Sequence, residues 1–405
     1  MAADLTVYKE IEGKSGNYFA LIGWLGIMLV AALTAFYTME HHGHVISGMS
    51  NAVVWGTPHV FAIFLIVAAS GALNVASISS VFGRYHYKPL SRISALSAVA
   101  LLAGGLMVLV LDLGRPDRLI VAMTYYNFKS IFAWNIILYN GFFVIVLAYL
   151  WMMMERRMNP YSKKIGMLAF LWRLVLTTGT GSIFGFLVAR PGYDAAIMAP
   201  LFIAMSFAFG LAFFIIMISI TYRSTGRPLG DLILFKMRNL LGVFIAAVLY
   251  FTAVQHVTNL YAAEHAGIEA FILWDGGIYT FLFWVVQIGL GSLIPLAILF
   301  NPATGRTCQG IMTAATLVII GGMAQLYVII IGGQAFPLQL FPGMEVSSSF
   351  FDGVVHAYAP SLPEVTLGLG GFATAILIIA VAVKYLPLLP SSLSDAKVDP
   401  HHKAG

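Results

Sequence analysis

Charge is what this sequence has least of. Asp, Glu, Lys and Arg together make up 10% of its 405 residues while 60% are hydrophobic, against about a quarter charged in a water-soluble domain. That balance excludes a soluble globule. Cysteine is nearly absent as well, Cys308 being the only one. A thiolate-ligated iron–sulfur cluster or structural zinc site takes three or four closely spaced ligands, so one cannot be built here from cysteine. Long polar segments are missing too: the longest connection on the inner side, ending at Arg238, is too short for a domain.

What the sequence has instead is ten apolar runs, each long enough to cross a bilayer at about 20 residues. They fall near 18–39, 57–82, 93–113, 131–154, 165–189, 196–221, 239–262, 270–300, 311–332 and 364–386. The most polar is 57–82, with Asn74 and several serines. The longest, 270–300, begins as an interfacial segment around Trp274, Asp275, Gly276 and Gly277. The first run is too long for a signal-peptide core and lacks a small-residue cleavage pattern, so a retained helix is expected.

Basic residues set the orientation. With a cytoplasmic amino terminus, inner segments carry 17 of the 22 Lys and Arg; outer segments carry Arg115, Arg118, Lys129 and Arg190, and Arg173 lies within a span. The net charge of +5 is thereby explained by topology, and no nucleic-acid partner is implied. The expectation is an all-α polytopic membrane protein of about ten transmembrane helices with both termini cytoplasmic. Residues 1–17 form a tail, 18–386 a single transmembrane domain, and 387–405 a disordered cytoplasmic tail.

Leu111-Asp112-Leu113-Gly114-Arg115-Pro116-Asp117-Arg118 places two acids and two arginines where a span meets water. Gly114 permits a helix stop, and Pro116 pushes Arg115 out of the helical region. Asp112 then lies in the last turn, with Arg115 and Arg118 able to fold back over it. Charge pattern alone leaves open an interfacial stop with snorkelling arginines. His59 adds a second titratable group. Pro58 suits a first helical turn, so His59 enters from the same side, and at the same depth, as Asp112 leaves. Two such groups in the outer leaflet are what a quinol site needs, because each hydroxyl loses a proton as electrons depart.

Other polar groups are less specific. Glu40, His41, His42 and His44 are able to bind a divalent metal, but a glycine-containing loop with no further ligand reads as a solvated tip, and no metal is expected. His59 with His256 is the one conceivable axial pair for a haem, short of the four histidines of a dihaem bundle. Glu264, His265, Glu269 and Asp275 read as an acidic outer loop. Residues 333–363, rich in Gly, Pro and aromatics, read as a cap over the bundle or an interface with an outer subunit. Arg173 sits about 12 Å deep at helical rise; snorkelling and a place in a proton path both remain open, and the Thr177–Ser182 run beside it suits close packing or a wet cavity.

An acid-Leu-Gly-Arg-Pro-x-Arg closing one span, an aromatic loop, and then Ser130 and Trp134 opening the next are similar to the NrfD/PsrC family of polysulfide-reductase membrane subunits. The likeness in span order runs from about residue 55 to 330 and is nearest the ten-helix branch, in particular its DsrP type. The resemblance implies a haem-free subunit of a bacterial or archaeal cytoplasmic membrane, built as two four-helix bundles, about 57–189 and 196–332, plus flanking helices. It implies a quinone or quinol, menaquinone or ubiquinone, bound near the outer face, and no haem or iron–sulfur cluster in this polypeptide. Electrons would be exchanged with a periplasmic ferredoxin-type iron–sulfur subunit, beside other membrane and cytochrome subunits, in dissimilatory sulfur metabolism. His59 and Asp112 match the polar positions of that pocket, and Arg115 and Arg118 the arginines beside it. Two alternatives stay open: a proton-translocating redox module using Arg173, and a secondary transporter, which places its charges nearer the midplane than they lie here.

Overall fold

The computed structural model of the protein describes residues 6–338 and 353–398. Ten helices in it are long and apolar enough to span a membrane. They are α1 (Gly16–His42), α2 (Thr57–Ser80), α3 (His86–Leu111), α4 (Ile131–Met154), α5 (Asn159–Gly185), α6 (Met198–Thr225), α7 (Asp231–Tyr261), α8 (Ile278–Phe300), α9 (Cys308–Ala335) and α10 (Leu362–Tyr385). All ten expected runs are therefore helices. Local chemistry fixes several ends. Ser15 accepts the Tyr18 N–H ahead of α1, Pro58 sits in the first turn of α2, and Ser361 with Glu364 forms a capping box on α10. The longest run opens with a short helical segment that a turn at Gly276 and Gly277 separates from α8.

The packing makes two rings of four: α2, α3, α4 and α5 close one, and α6, α7, α8 and α9 the other. Helices α1 and α10 pack on each other, and α10 also lies against α2 and α3. The rings meet chiefly where α2 crosses α6. A side chain at Gly71 would collide with the Ser206 carbonyl, and one at Gly210 with the backbone of Gly71 and Ala72. Only hydrogen at these two positions lets the backbones touch, which is how helices gain packing contact in a membrane.

The most polar run, 57–82, is also the one most enclosed by protein. Its polar atoms are internal fastenings: Ser94 Oγ on α3 donates to Ala72 O at 2.7 Å and accepts the Ala76 N–H at 3.0 Å. That insertion interrupts the ladder of α2 at Leu73.

The segments near the two termini meet at one end of the described part. Tyr8–Lys9 (β1) pairs antiparallel with Leu389–Pro390 (β2), and the Tyr222 hydroxyl donates to Pro390 O at 2.7 Å. This corrects the expected disordered tail as far as Val398: Leu388, Leu389 and Leu393 are fully buried, because an apolar stretch beside the helix ends has surface to cover. Residues 399–405 lie outside the described part. The end without the termini, called distal below, carries the start of α2 and the finish of α3.

Candidate functional site

Asp112 closes α3, its N–H reaching Val108 O at 3.0 Å. His59 lies in the first turn of α2, its N–H on Gly56 O at 3.1 Å. The two side chains meet: His59 Nδ1 is 2.8 Å from Asp112 Oδ2, with the histidine 15% exposed and the carboxylate fully buried. The ring nitrogen is at contact distance but off hydrogen-bond alignment, and neither Asp112 oxygen has another donor among the described residues. A buried carboxylate with both oxygens open is costly unless something fills them.

The motif arginines behave otherwise. Gly114 takes a left-handed φ of +69° and turns the backbone away, so Arg115 reaches Asp117 instead. Nε and Nη2 donate to the two carboxylate oxygens at 3.0 and 2.9 Å. The side chains of that pair are 62% and 61% exposed, and Arg118 is exposed as well. The expected folding of Arg115 and Arg118 back over Asp112 does not occur, because Asp117 offers Arg115 a bidentate partner two residues away. His44 fills the space beside Gly114 instead.

Aromatic rings wall the histidine. Trp55 stacks on His59 at 6.0 Å and on Tyr193 at 6.3 Å, and meets Phe132 and Phe184 edge-on. Phe132 is itself exposed on the helix surface, so a line of rings runs from the outside of the bundle to His59.

The loop before α2 is held from two sides. From the second bundle, Gln334 Oε1 accepts the N–H groups of Val54 and Trp55, each at 3.0 Å, and Nε2 donates to Trp55 O at 3.0 Å. Arg190 adds bonds to Gln334 O at 3.0 Å and Ala52 O at 2.8 Å. From α10, Glu364 Oε2 accepts the Gly48 N–H at 2.8 Å, while Tyr358 takes the Thr57 N–H at 2.6 Å and donates to Glu364 Oε1 at 2.7 Å. Burial first, and then the bond to Glu364, pushes the Tyr358 phenol well above its ordinary range, which keeps it a donor. None of Gln334, Tyr358 and Glu364 stands out in sequence as belonging to the site. Of the segment 333–363, residues 339–352 fall outside the described part.

The remaining candidates are dispersed. Arg173 is fully buried and does not snorkel: its guanidinium lies between Phe170 and Phe207 at 4.9 Å from each ring, and Nη2 donates to Asn74 Oδ1 at 3.0 Å. Ser70 and Thr177 extend this network with a 2.6 Å hydroxyl contact. His256 belongs to the second bundle and faces its own carboxylate, Glu269 Oε2, at 2.6 Å; Asn259 holds Oε1 at 2.8 Å. Glu269 is 1% exposed, so it is not part of a solvated acidic face. His41 stacks on Tyr37, and His42 binds its own helix at Thr38 O.

Ten apolar helices with His59 and Asp112 paired at one end define a polytopic membrane protein. The family described as Polysulphide reductase, NrfD, matches residues 45–338. The chain belongs to that family, and so is a multi-pass protein of the prokaryotic inner membrane. It is 31% identical to the Hdr-like menaquinol oxidoreductase integral membrane subunit of Archaeoglobus fulgidus, over 97% of this chain and 99% of that one. It is 23% identical to the protein NrfD of Escherichia coli, over 70% of this chain and 96% of the relative. With the menaquinone reductase integral membrane subunit of Nitratidesulfovibrio vulgaris it shares 21%, over 92% and 90%.

Proposed function

We propose that this protein is the quinone-reactive membrane subunit of a respiratory oxidoreductase, with His59 and Asp112 handling the protons of the quinol hydroxyls. The observation that carries the reading is the buried Asp112 carboxylate, both oxygens open, with His59 2.8 Å away. Oxidation of a quinol releases two protons and two electrons. Asp112 accepts one proton as a carboxylate, and His59 accepts the other at Nε2, the ring nitrogen on the side away from the Nδ1 contact with Asp112. The electrons leave to a redox centre of a partner, and both protons leave at the distal face; quinone reduction runs the same transfers backwards. The line Phe132–Trp55–His59 supplies a stacking path for a flat ring arriving from the lipid.

Relatives that are menaquinol oxidoreductase and menaquinone reductase subunits support a quinone, and favour menaquinone over ubiquinone. With the basic residues inside, the site faces outward. The electron partner in this reading is a periplasmic ferredoxin-type iron–sulfur subunit docked on Arg115, Asp117 and Arg118. Other membrane and cytochrome subunits complete a complex of the DsrP type in sulfur metabolism, and the membrane subunit itself carries no haem or iron–sulfur cluster. Binding of a quinol analogue to the purified protein, followed by calorimetry with an absorption spectrum of each sample, tests the reading. Saturable binding, weakened at least about tenfold in folded His59→Ala and Asp112→Asn proteins, is the expected result. Undiminished binding in both variants removes the site, and a Soret band lost on changing His59 or His256 replaces it with a haem.

One observation favours a second role for Arg173 in a proton path: the buried polar series Asn74–Arg173–Ser70–Thr177. In vesicles, Arg173→Gln would then keep quinol oxidation and lose proton translocation. Equal rates of both in variant and parent dismiss it.

A further inference from the structure

At the end where β1 and β2 pair, α2 and α5 of one bundle and α6 and α7 of the other line an open cavity of about 900 Å³. Its walls are aromatic and aliphatic, with Phe82, Phe170, Phe207 and Phe244 the largest of them. Its charged groups have one sign: Arg84, Arg173 and Lys236 line it beside the neutral polar residues Asn74, His86 and Asn239, and among the described residues no Asp or Glu does.

These cations lack protein counter-charges. Neither Arg84 nor Lys236 forms an ion pair among the described residues. Arg173 is held by Asn74 and two rings rather than by a carboxylate, and its Nε is buried with no partner. A guanidinium taken fully out of water without an anion is expensive. The residues divide by depth. Arg84 follows the last turn of α2 and Lys236 lies in the second turn of α7, whereas Asn74, which holds Arg173, is six residues above Ser80, or about 9 Å at helical rise.

We propose that this cavity binds an anionic phospholipid. The phosphate lies between Arg84 and Lys236 at headgroup depth, and an acyl tail runs inward along the phenylalanines. A small hydrated anion would leave the apolar walls uncovered, and a neutral quinone would leave Arg84 and Lys236 uncompensated, whereas Arg173 at the depth of the acyl tail keeps Asn74 and its two rings. Basic pockets between transmembrane helices recognise lipid headgroups by this combination. The bound lipid bridges two bundles that approach most closely at the bare backbone of Gly71 and Gly210, so its occupancy adds to their docking.

The test uses the full-length protein, stripped of lipid in a non-ionic detergent. Thermal unfolding is followed with added phosphatidylglycerol, with phosphatidylcholine of the same acyl composition, with inorganic phosphate, and with a quinol analogue; native mass spectrometry counts retained lipid. Phosphatidylglycerol is expected to raise the midpoint by several degrees and to be retained at one copy, with little response to phosphatidylcholine or phosphate, while the quinol analogue gives its own shift through the distal site and does not displace the lipid. Arg84→Gln and Lys236→Gln, separately and together, are expected to weaken that response at least about tenfold in lipid concentration. Binding of the quinol analogue at the distal site stays unchanged in both. An equal response to the two phospholipids, or a response to phosphatidylglycerol undiminished in both single variants, overturns the proposal. Phosphate alone reproducing the shift reassigns the cavity to a free anion, and displacement of the lipid by the quinol analogue reassigns it to a second quinone site.

Discussion

Gln334 grips the backbone of Trp55 from both sides, accepting its N–H and donating to its carbonyl, each at 3.0 Å. Trp55 in turn stacks on His59. An amide at the end of α9, in the second bundle, therefore sets the position of the acid–base pair in the first. The dependence explains how a bundle that contributes neither His59 nor Asp112 is still needed for the site.

Replacing Gln334 by Leu should keep the side-chain size and strand the Val54 and Trp55 backbone groups. Each orphaned buried group costs about 1–3 kcal/mol, so the unfolding midpoint should fall. Quinol KM should rise more than kcat falls, because the loop that aims His59 is loosened. Gln334→Glu keeps the acceptor oxygen and should restore part of the affinity. A lower midpoint with an unchanged KM would reduce Gln334 to a structural fastening.

His59 and Asp112 act in the proposed reaction as one unit, so their substitutions should not add. His59→Gln and Asp112→Asn should each lower quinol oxidation by about 10²–10⁴, the range expected of a positioned acid or base. The double variant should be scarcely worse than the poorer single one. Steady-state rates with a soluble quinol analogue give the comparison. Fully additive losses would mean two independent roles instead of a shared site.

Much of the fold and the centre of the candidate site are legible in the sequence, for one physical reason. Lipid forces backbone satisfaction within each span, so hydropathy finds all ten helices, and span direction puts Asp112 and His59 at the same face. Side-chain choices between near neighbours are not legible. Arg115 had two acids within reach, and the left-handed turn at Gly114 decided for Asp117. Glu269 read as solvated because loop charge usually is, and its burial depends on His256, 13 residues earlier. Gln334 and Glu364 act through loops 280 and 316 residues away, a separation no local pattern encodes.

The Arg115–Asp117 pair is predicted to matter for association and not for folding. The Arg115 guanidinium, chiefly through its hydrogen bond, holds the Asp117 carboxyl below the ordinary value of 3.8. A depressed folded value means that the pair's contribution is complete above the unfolded value and disappears as pH falls through the lower, folded one. Between pH 5 and 8 nothing should titrate there. Asp117→Asn at pH 7 should leave the unfolding midpoint unchanged, since exposed pairs of this kind are screened by solvent. Affinity for the electron-transfer partner should change instead, and the change should shrink as salt rises. A salt-independent change would place the partner's contact elsewhere.

The junction of the bundles gives the sharpest contrast between two glycines. Gly26, on α1, has open space where a side chain would go, whereas at Gly71 the space is already taken by the Ser206 carbonyl. Gly26→Ala should be neutral or stabilising by up to about 1 kcal/mol, from helix propensity alone. Gly71→Ala should cost about 1–3 kcal/mol or more, because overpacking drives two backbones apart. The effect should also travel. Once α2 and α6 separate, Gln334 loses its register with Trp55, so quinol-analogue affinity should fall in Gly71→Ala although the residue lies about 18 Å from His59 along the helix. Thermal unfolding and calorimetry on the two variants separate the possibilities. A destabilised Gly71→Ala protein with full affinity would show that the distal loop is held by its own fastenings and not by the docking of the bundles.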